Sequence, residues 1–527
     1  MAQENEIMQV AESSAHGGMY LFIGNALSTG ILAVSSIIIG RLLGPDNYGL
    51  FSLAIVVPSL LVGLIDFGIV SAITRFCAKF RAEGNDCSVR RVVKYGIIFE
   101  LIVGLIASLF CFTFSDSLSL LVINRPEAGF YVRIGSFLIL FQALFNVISA
   151  AFIGLNREKI NVLVMAVRAF TKFSLSPLLI IVGFGIFGAL LGHVVCYVIA
   201  VAVGVVYLSL LLYKGHTDDD PSPGIFKTML RYGAPLYISG LLGLFLLQYQ
   251  TIILAHFASN AEIGNFQVAT LFETAMAVLS YPFIALFPAF SKLTNENGQL
   301  GQFFRRSVKY TAMLVIPATI AIAVLANDII YVFYGSDFTL APTFVAFYIL
   351  LNLFAGFGTS VLGYLFNGIG RTDVALKSAL INFVVFLPAS LILTFLFGVM
   401  GLIGSLFVCS FFTLTYSLAV TYKQVKTFPD LQSSARIYAA SALSALALFG
   451  FLKISPFSSF PNLVLGCAIF FFLYLTLLPI IGVLTFTDLD LFKQLFLKIK
   501  GVRIALRLLI SYETKILSFT RKQGNEN

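Results

Sequence analysis

Apolar runs of about twenty residues recur along almost the whole of this chain, and no other feature narrows its fold so far. Fourteen are read, at residues 19–40, 50–73, 95–114, 130–153, 161–182, 186–212, 234–255, 265–288, 310–327, 343–366, 375–396, 399–422, 437–454 and 463–486. About twenty apolar residues make a helix long enough to cross a hydrocarbon core about 30 Å thick. Composition agrees: of 527 residues 59% are hydrophobic and 11% charged, where a soluble domain carries about 25% charged residues. A transmembrane barrel would show alternating segments of about ten residues instead. The expected fold class is an all-α polytopic membrane protein with about 14 transmembrane helices.

The chain is also written twice. Arg90-Arg91-Val92-Val93-Lys94-Tyr95 returns as Arg305-Arg306-Ser307-Val308-Lys309-Tyr310, at offset 215. Gly18 pairs with Gly233, and the turn from Tyr48 to Ala54 with that from Ile263 to Ala269, both at the same offset. Gly154-Leu155-Asn156-Arg157 pairs with Gly368-Ile369-Gly370-Arg371 at 214, and Gly185–Gly188 with Gly398–Gly401 at 213. Six spans separate the copies, an even number, so both face the same way. Two six-helix lobes are expected, related by a pseudo-two-fold axis along the membrane normal, with a cleft on that axis. The lobes fall at 19–213 and 234–422, joined by a cytoplasmic linker at 214–233, with two further helices in 437–486.

Loop charge sets the orientation, because cytoplasmic loops collect Lys and Arg. With the N-terminus inside, the inner loops and tail hold 28 of the 34 basic residues; the outer loops hold Arg41, Arg125 and Lys453. Both termini are expected in the cytoplasm, and the net charge of +9 follows topology rather than nucleic acid. Residues 1–18 carry Glu4, Glu6 and Glu12 without Lys or Arg, so no cleavable signal is expected and this segment is taken as a cytoplasmic N-terminus. The tail 487–527 alternates Leu, Ile and Phe with Lys and Arg, a pattern suited to the anionic inner leaflet. The six cysteines and the lone His193 and His256 show no metal spacing, and the thiols are expected reduced. No phosphate-binding Gly-rich loop occurs, and neither metal nor cofactor is expected.

Charge within a span costs about 2.5–3.5 kcal/mol near its centre on insertion scales, so each such residue is a functional candidate. Arg168 and Lys172 lie at i and i+4 on one face of the fifth span, Lys172 near the midplane. Two such cations side by side suit a cavity wall that receives a phosphate, or an internal ion pair. Arg133, near the end of the fourth span, either joins that wall or snorkels outward. Asp66, Glu100 and Glu273 either couple to H⁺ or Na⁺ or form internal ion pairs. The second copy has Tyr348, Asn382 and Phe386 where the first has Arg133, Arg168 and Lys172, so these charges serve a ligand rather than the shared scaffold. Asn25, Gln142, Asn146, Gln248, Gln250 and Asn382 are further candidates for a polar cleft, or bonds between helices. Pro58, Pro177, Pro235, Pro282, Pro288 and Pro388 mark bends.

The segment from Gly40 through Arg41, Gly44-Pro45-Asp46-Asn47-Tyr48-Gly49 to Ala54 resembles the polysaccharide biosynthesis/export family. These are Wzx-like oligosaccharide flippases of the multidrug/oligosaccharidyl-lipid/polysaccharide superfamily. Asp66-Phe67-Gly68 with Arg75, Tyr334-Gly335 and Gly368-Ile369-Gly370-Arg371 carry the resemblance further, over roughly residues 15–485. It implies alternating access by two lobes, and a cationic lumen for the phosphate or pyrophosphate of a polyprenyl-linked oligosaccharide. A monomeric transporter in the cell membrane is expected, not an enzyme. Drug/cation antiporters of the same superfamily are the nearest alternative, although the first span has only Asn25 and no acid. A membrane glycosyltransferase or polysaccharide polymerase is the alternative from another class; its chemistry normally needs sizeable outer loops, and those here are short.

Overall fold

A computed structural model describes residues 2–212, 224–280, 290, 298–486, 488–490, 507 and 510–518. Pro282 and Pro288 lie outside the described residues. So do residue 213, residues 214–223 of the predicted linker and most of the predicted basic tail.

Helices account for nearly all of it. They are α1 Ala2–Ile65, α2 Ile69–Ala82, α3 Asp86–Thr113, α4 Ser115–Ile123, α5 Gly129–Gly154, α6 Glu158–Leu179, α7 Gly185–Leu212, α8 Ile225–Phe257 and α9 Asn260–Ser280. After these come α10 Gln299–Val324, α11 Ala326–Tyr334, α12 Ala341–Ile349, α13 Thr359–Gly368, α14 Thr372–Val425, α15 Leu431–Ile454 and α16 Ser459–Ile480. No strand occurs among the described residues, as expected where backbone groups must be satisfied within each segment.

Nine helical segments among the described residues are long and apolar enough to cross a membrane, ten if the bent pair Ala341–Phe357 and Thr359–Gly368 counts as one. Three of the nine are far longer than one crossing: Gly24–Ile65, Glu158–Leu212 and Thr372–Val425, of 42, 55 and 54 residues. At about 1.5 Å per residue the last would reach about 80 Å, so each accommodates two crossings. Each is broken where the sequence changes span. The breaks are Gly44 (φ 73°), Gly183 (φ 103°) and Gly398 (φ 58°), a left-handed backbone that glycine adopts without a Cβ penalty. Pro58, Pro177, Pro235 and Pro388 lie inside helices, and the breaks fall at these glycines rather than at the prolines.

The exterior is apolar: Leu121, Ile181 and Phe395 are 74%, 70% and 71% exposed. Contiguous apolar surface of this kind is rare in water and normal against acyl chains.

The chain packs as two units, Met1–Leu271 with Leu387–Ser405, and Phe272–Phe386 with Leu406–Asn527. In the first, the core is built by Ile69 and Ile73 of α2, Val92 of α3, Val147 and Phe152 of α5 and Ala200 of α7. In the second, it is built by Ile316 of α10, Ile437 and Leu448 of α15, and Phe470 and Leu478 of α16. There Lys309 binds Asp488 at 2.7 Å while the Tyr310 hydroxyl donates to the same carboxylate at 2.6 Å. Burial alone would raise the Asp488 carboxyl, but the bonds from Lys309, Tyr310 and Thr485 outweigh it and hold it below the ordinary range. All six cysteines are free thiols.

Candidate functional site

Arg168 and Lys172 project from α6 into the first unit. The Arg168 guanidinium carbon lies 4.8 Å from the Phe145 ring centre and 5.2 Å from that of Tyr197. Nη1 donates to the Tyr197 hydroxyl at 3.2 Å, and Nε is buried without a hydrogen-bond partner. Aromatic faces attract a cation through their quadrupole, so α5 and α7 fix the plane of this guanidinium from two sides. His193 stacks on Tyr197 at 5.8 Å with a 13° tilt. Lys172 shares this electrostatic neighbourhood with Arg168, His193 and Cys196. Among the described residues no carboxylate comes within ion-pair distance of either cation. The internal salt bridge that the sequence left open is therefore not what holds them.

A cavity of about 510 Å³ lies among α1, α2, α5 and α8 of the same unit. Ser59, Asp66, Gln142, Asn146 and Gln248 give it a polar lining, and Leu236, Leu241, Leu244 and Leu247 an apolar flank from α8. Three of the amides singled out in the sequence thus converge. Asp66 has two tasks here. It lines the cavity, and its Oδ1 accepts from the Val70 N–H at 3.0 Å, capping the start of α2 just after the left-handed Phe67 and Gly68. It forms no ion pair with Arg168 or Arg75; the Arg75 guanidinium instead lies 4.1 Å from the Tyr232 ring centre.

Both ends of α8 are pinned. Near its start Gly233 meets Gly68 so closely that a Cβ on either would overlap the other's backbone, and the Tyr237 hydroxyl donates to the Leu64 carbonyl at 2.7 Å. Beyond its other end the repeated turns of the two copies meet. A Cβ on Gly49 would overlap the Asn260 carbonyl, and one on Gly264 the Pro45 carbonyl. The exchange is reciprocal: Pro45 corresponds to Asn260, and Gly49 to Gly264, at the offset of the repeat. Arg125 locks this end. Its Nε donates to Asn260 Oδ1 at 2.8 Å, Nη1 to the Ala255 carbonyl at 2.8 Å and Nη2 to the Ala258 carbonyl at 2.5 Å. The last carbonyls of a helix lack intrahelical partners, and a cation there also opposes the helix dipole. Arg125→Ala should therefore speed amide hydrogen exchange in residues 254–264 by about tenfold or more, since a charged hydrogen bond contributes about 1.5–3 kcal/mol. Unchanged exchange would show that the turn contact holds by itself.

The remaining candidates lie elsewhere. Arg133 binds Asp116 at 2.7 Å and Ser115 at 3.1 Å, and stands apart from the Arg168 cluster. Glu273, in the second unit, accepts from Asn352 Nδ2 at 2.7 Å. Glu100 is 1% exposed, and neither carboxylate oxygen has a hydrogen-bond partner. Ionised and unpaired in a low-dielectric interior it would cost several kcal/mol, so it is stable there only with a proton or a cation on it. Its electrostatic neighbour is Asp66. Among the described residues no cluster of His, Cys, Asp and Glu is fit for a metal. Sequence reasoning missed Phe145 and Tyr197, which hold Arg168, and Arg125, whose presence in a predicted outer loop, where cations are scarce, was the available signal.

Comparison with known proteins settles the family. Residues 38–343 match the family described as polysaccharide biosynthesis protein, and residues 237–475 match that of lipid II flippase MurJ. This chain belongs to the polysaccharide biosynthesis protein family. It is 23% identical over 398 residues to the probable low-salt glycan biosynthesis flippase Agl15 of Haloferax volcanii, covering 73% of this chain and 79% of that protein. It is 21% identical over 435 residues to the multidrug export protein MepA of Staphylococcus aureus, covering 78% and 94%. The fold is similar to that of a solved structure of lipid II flippase MurJ, itself in an inward closed conformation, with TM-score 0.72 at 16% identity, covering 90% of this chain and all of that one.

Proposed function

We propose that this protein flips a lipid-linked oligosaccharide or polysaccharide repeat unit, carried on a polyprenyl phosphate or pyrophosphate, across the cell membrane by alternating access. The observation that carries this is the two-sided cavity. Amides, hydroxyls and one carboxylate match the donors and acceptors of sugar hydroxyls, while the leucines of α8 suit the first isoprenes of the lipid. Membership of the polysaccharide biosynthesis protein family and the likeness to Agl15 support the same substrate class.

Arg168 and Lys172 hold the phosphate. The guanidinium is preoriented by two rings, and phosphate is a partner for which a planar donor fork is well suited. Glu100 and Asp66, with Glu273 in the other unit, are the groups through which H⁺ or Na⁺ couples to the cycle. Both termini lie in the cytoplasm, on the loop-charge asymmetry, which puts the Arg125 lock and the paired glycine turns at the outer face. An exporter of organic cations, the reading that the likeness to MepA invites, fits less well: Asp66 is the one carboxylate among the described residues of the cavity's lining, and its Oδ1 is already engaged by the Val70 N–H.

Proteoliposomes containing the purified protein and a fluorescent lipid-linked oligosaccharide test the proposal. Wild-type protein should speed arrival of the label in the opposite leaflet, and Asn146→Leu with Gln248→Leu should slow it by about tenfold, the effect of losing about 1.4 kcal/mol of sugar contacts. No acceleration by wild-type protein over protein-free liposomes would end the flippase reading. Unchanged rates in the double variant would remove the cavity from the path.

A further inference from the structure

A second polar cavity lies in the first unit where α2, α5 and α7 end and α3 and α6 begin. The close of α2 supplies Arg81, the start of α3 supplies Asp86 and Arg90, the α5–α6 turn supplies Arg157, and the end of α7 supplies Leu211 and Leu212. It encloses about 240 Å³. None of the three guanidiniums has a hydrogen bond or ion pair with another described residue, and Asp86 is the one carboxylate among the described residues of the wall. Two net positive charges therefore face this space. Two helix N-termini, of α3 and α6, and three C-termini, of α2, α5 and α7, meet at the wall, so the helix dipoles offset one another and the arginines carry the positive charge.

The internal repeat provides a control within one chain. Arg90 and Arg157 correspond to Arg305 and Arg371 of the second copy, at offsets 215 and 214. There the guanidiniums are used internally. Arg305 Nε donates to Thr427 Oγ1 at 2.9 Å and to the Phe428 carbonyl at 3.2 Å. Arg371 grips Asp373 with two bonds of 2.7 and 2.9 Å, which hold that carboxyl down to about 2. The same arginines are thus kept in both copies of the sequence. The second copy engages both arginines with its own atoms, and pairs Arg371 with a carboxylate; the first leaves its pair directed at a cavity and adds a third.

We infer that the Arg81, Arg90 and Arg157 cavity binds the phosphate group of a phosphate ester. A tripod of guanidiniums surrounds a tetrahedral anion with charge-assisted donors, and Leu155, Leu211 and Leu212 offer the apolar contact that the esterified alcohol needs. The inference stands independently of the flippase reading. The group can come from an anionic lipid headgroup or from a soluble phosphate ester, and two arms separate them.

In the first arm the full chain is released from nanodiscs of phosphatidylglycerol and phosphatidylcholine into a native mass spectrometer, and retained phosphatidylglycerol is counted. In the second, protein in phosphatidylcholine nanodiscs is titrated with glycerol 3-phosphate. Arg90→Gln with Arg157→Gln should lose one retained phosphatidylglycerol, or bind glycerol 3-phosphate at least about tenfold more weakly, as expected when charge-assisted donors are removed. Either loss supports the site and names its source. Because these arginines have no partners among the described residues, the melting temperature should hold; Arg81→Gln alone, with a smaller loss, serves should the double variant fold poorly. Equal binding by wild type and both variants in both arms overturns the inference. So does binding that emerges only after Asp218→Asn, Asp219→Asn and Asp220→Asn, since the acidic run following Leu212 would then be the occupant.

Discussion

Gly264→Ala is expected to lower the melting temperature by several degrees and to slow transport about tenfold. The added methyl would overlap the Pro45 carbonyl, a backbone atom that cannot rotate aside. The Pro45–Gly49 and Asn260–Gly264 turns must then separate, and Arg125 cannot keep its bonds to Asn260, Ala255 and Ala258 at 2.8, 2.8 and 2.5 Å. Overpacking of this kind costs about 1–3 kcal/mol. In domains of about 150–250 residues, each kcal/mol moves the midpoint by about 2–4 °C. Where the joined turns are an obligatory station of the cycle, the same energy depletes that station and the cycle slows in proportion. Gly450→Ala is the control, since a Cβ there meets nothing within 4 Å and alanine favours the helix over glycine. Scanning calorimetry and the leaflet-arrival assay read the two effects. If Gly264→Ala behaves like Gly450→Ala, the close approach of the paired turns holds neither the fold nor the cycle.

That contact also shows what a sequence can and cannot disclose. The repeat was legible because it is a matter of spacing, and so were the helix breaks at Gly183 and Gly398, because a local glycine rule governs them. The amphipathic logic put Arg168 and Lys172 on one face of α6 for the same reason. What these side chains meet depends on helices far away in sequence. Tyr197 comes from α7 and Phe145 from α5, on either side of Arg168 along the chain, and no local pattern reports their approach. Arg133 illustrates the converse. The sequence saw a charge in a span, but Asp116, at the start of α4, lies just beyond the previous apolar run and pairs with it at 2.7 Å. Asp66 looked like a buried charge seeking a cation. The adjoining Phe67-Gly68 turn gives it the Val70 N–H instead, a capping role that the three-residue motif itself implies.

The unpaired cations of α6 carry the other large expected effect. Lys172→Met and Arg168→Met should each slow flipping of a lipid-linked oligosaccharide about tenfold or more, because a hydrogen bond to a charged group contributes about 1.5–3 kcal/mol. Stability separates this from a packing role. Two like charges at i and i+4 destabilise each other and are costly to desolvate, so removing Lys172 should leave the melting temperature unchanged or raise it. A residue kept only for packing would lower it on removal, and transport would fall merely in step with folded protein. Arg168→Lys adds a second discriminator. The charge is kept, but the planar fork set by Phe145 and Tyr197 at 4.8 and 5.2 Å is lost. A binding site that needs only charge would be rescued, whereas one that needs the oriented donor pair would not. Flipping should therefore remain slow in Arg168→Lys, and full activity in that variant would reduce Arg168 to a source of positive potential. Wild-type rates in Lys172→Met and Arg168→Met together would take the cluster out of the transport path altogether, since nothing else in α6 bears a charge deep in the membrane.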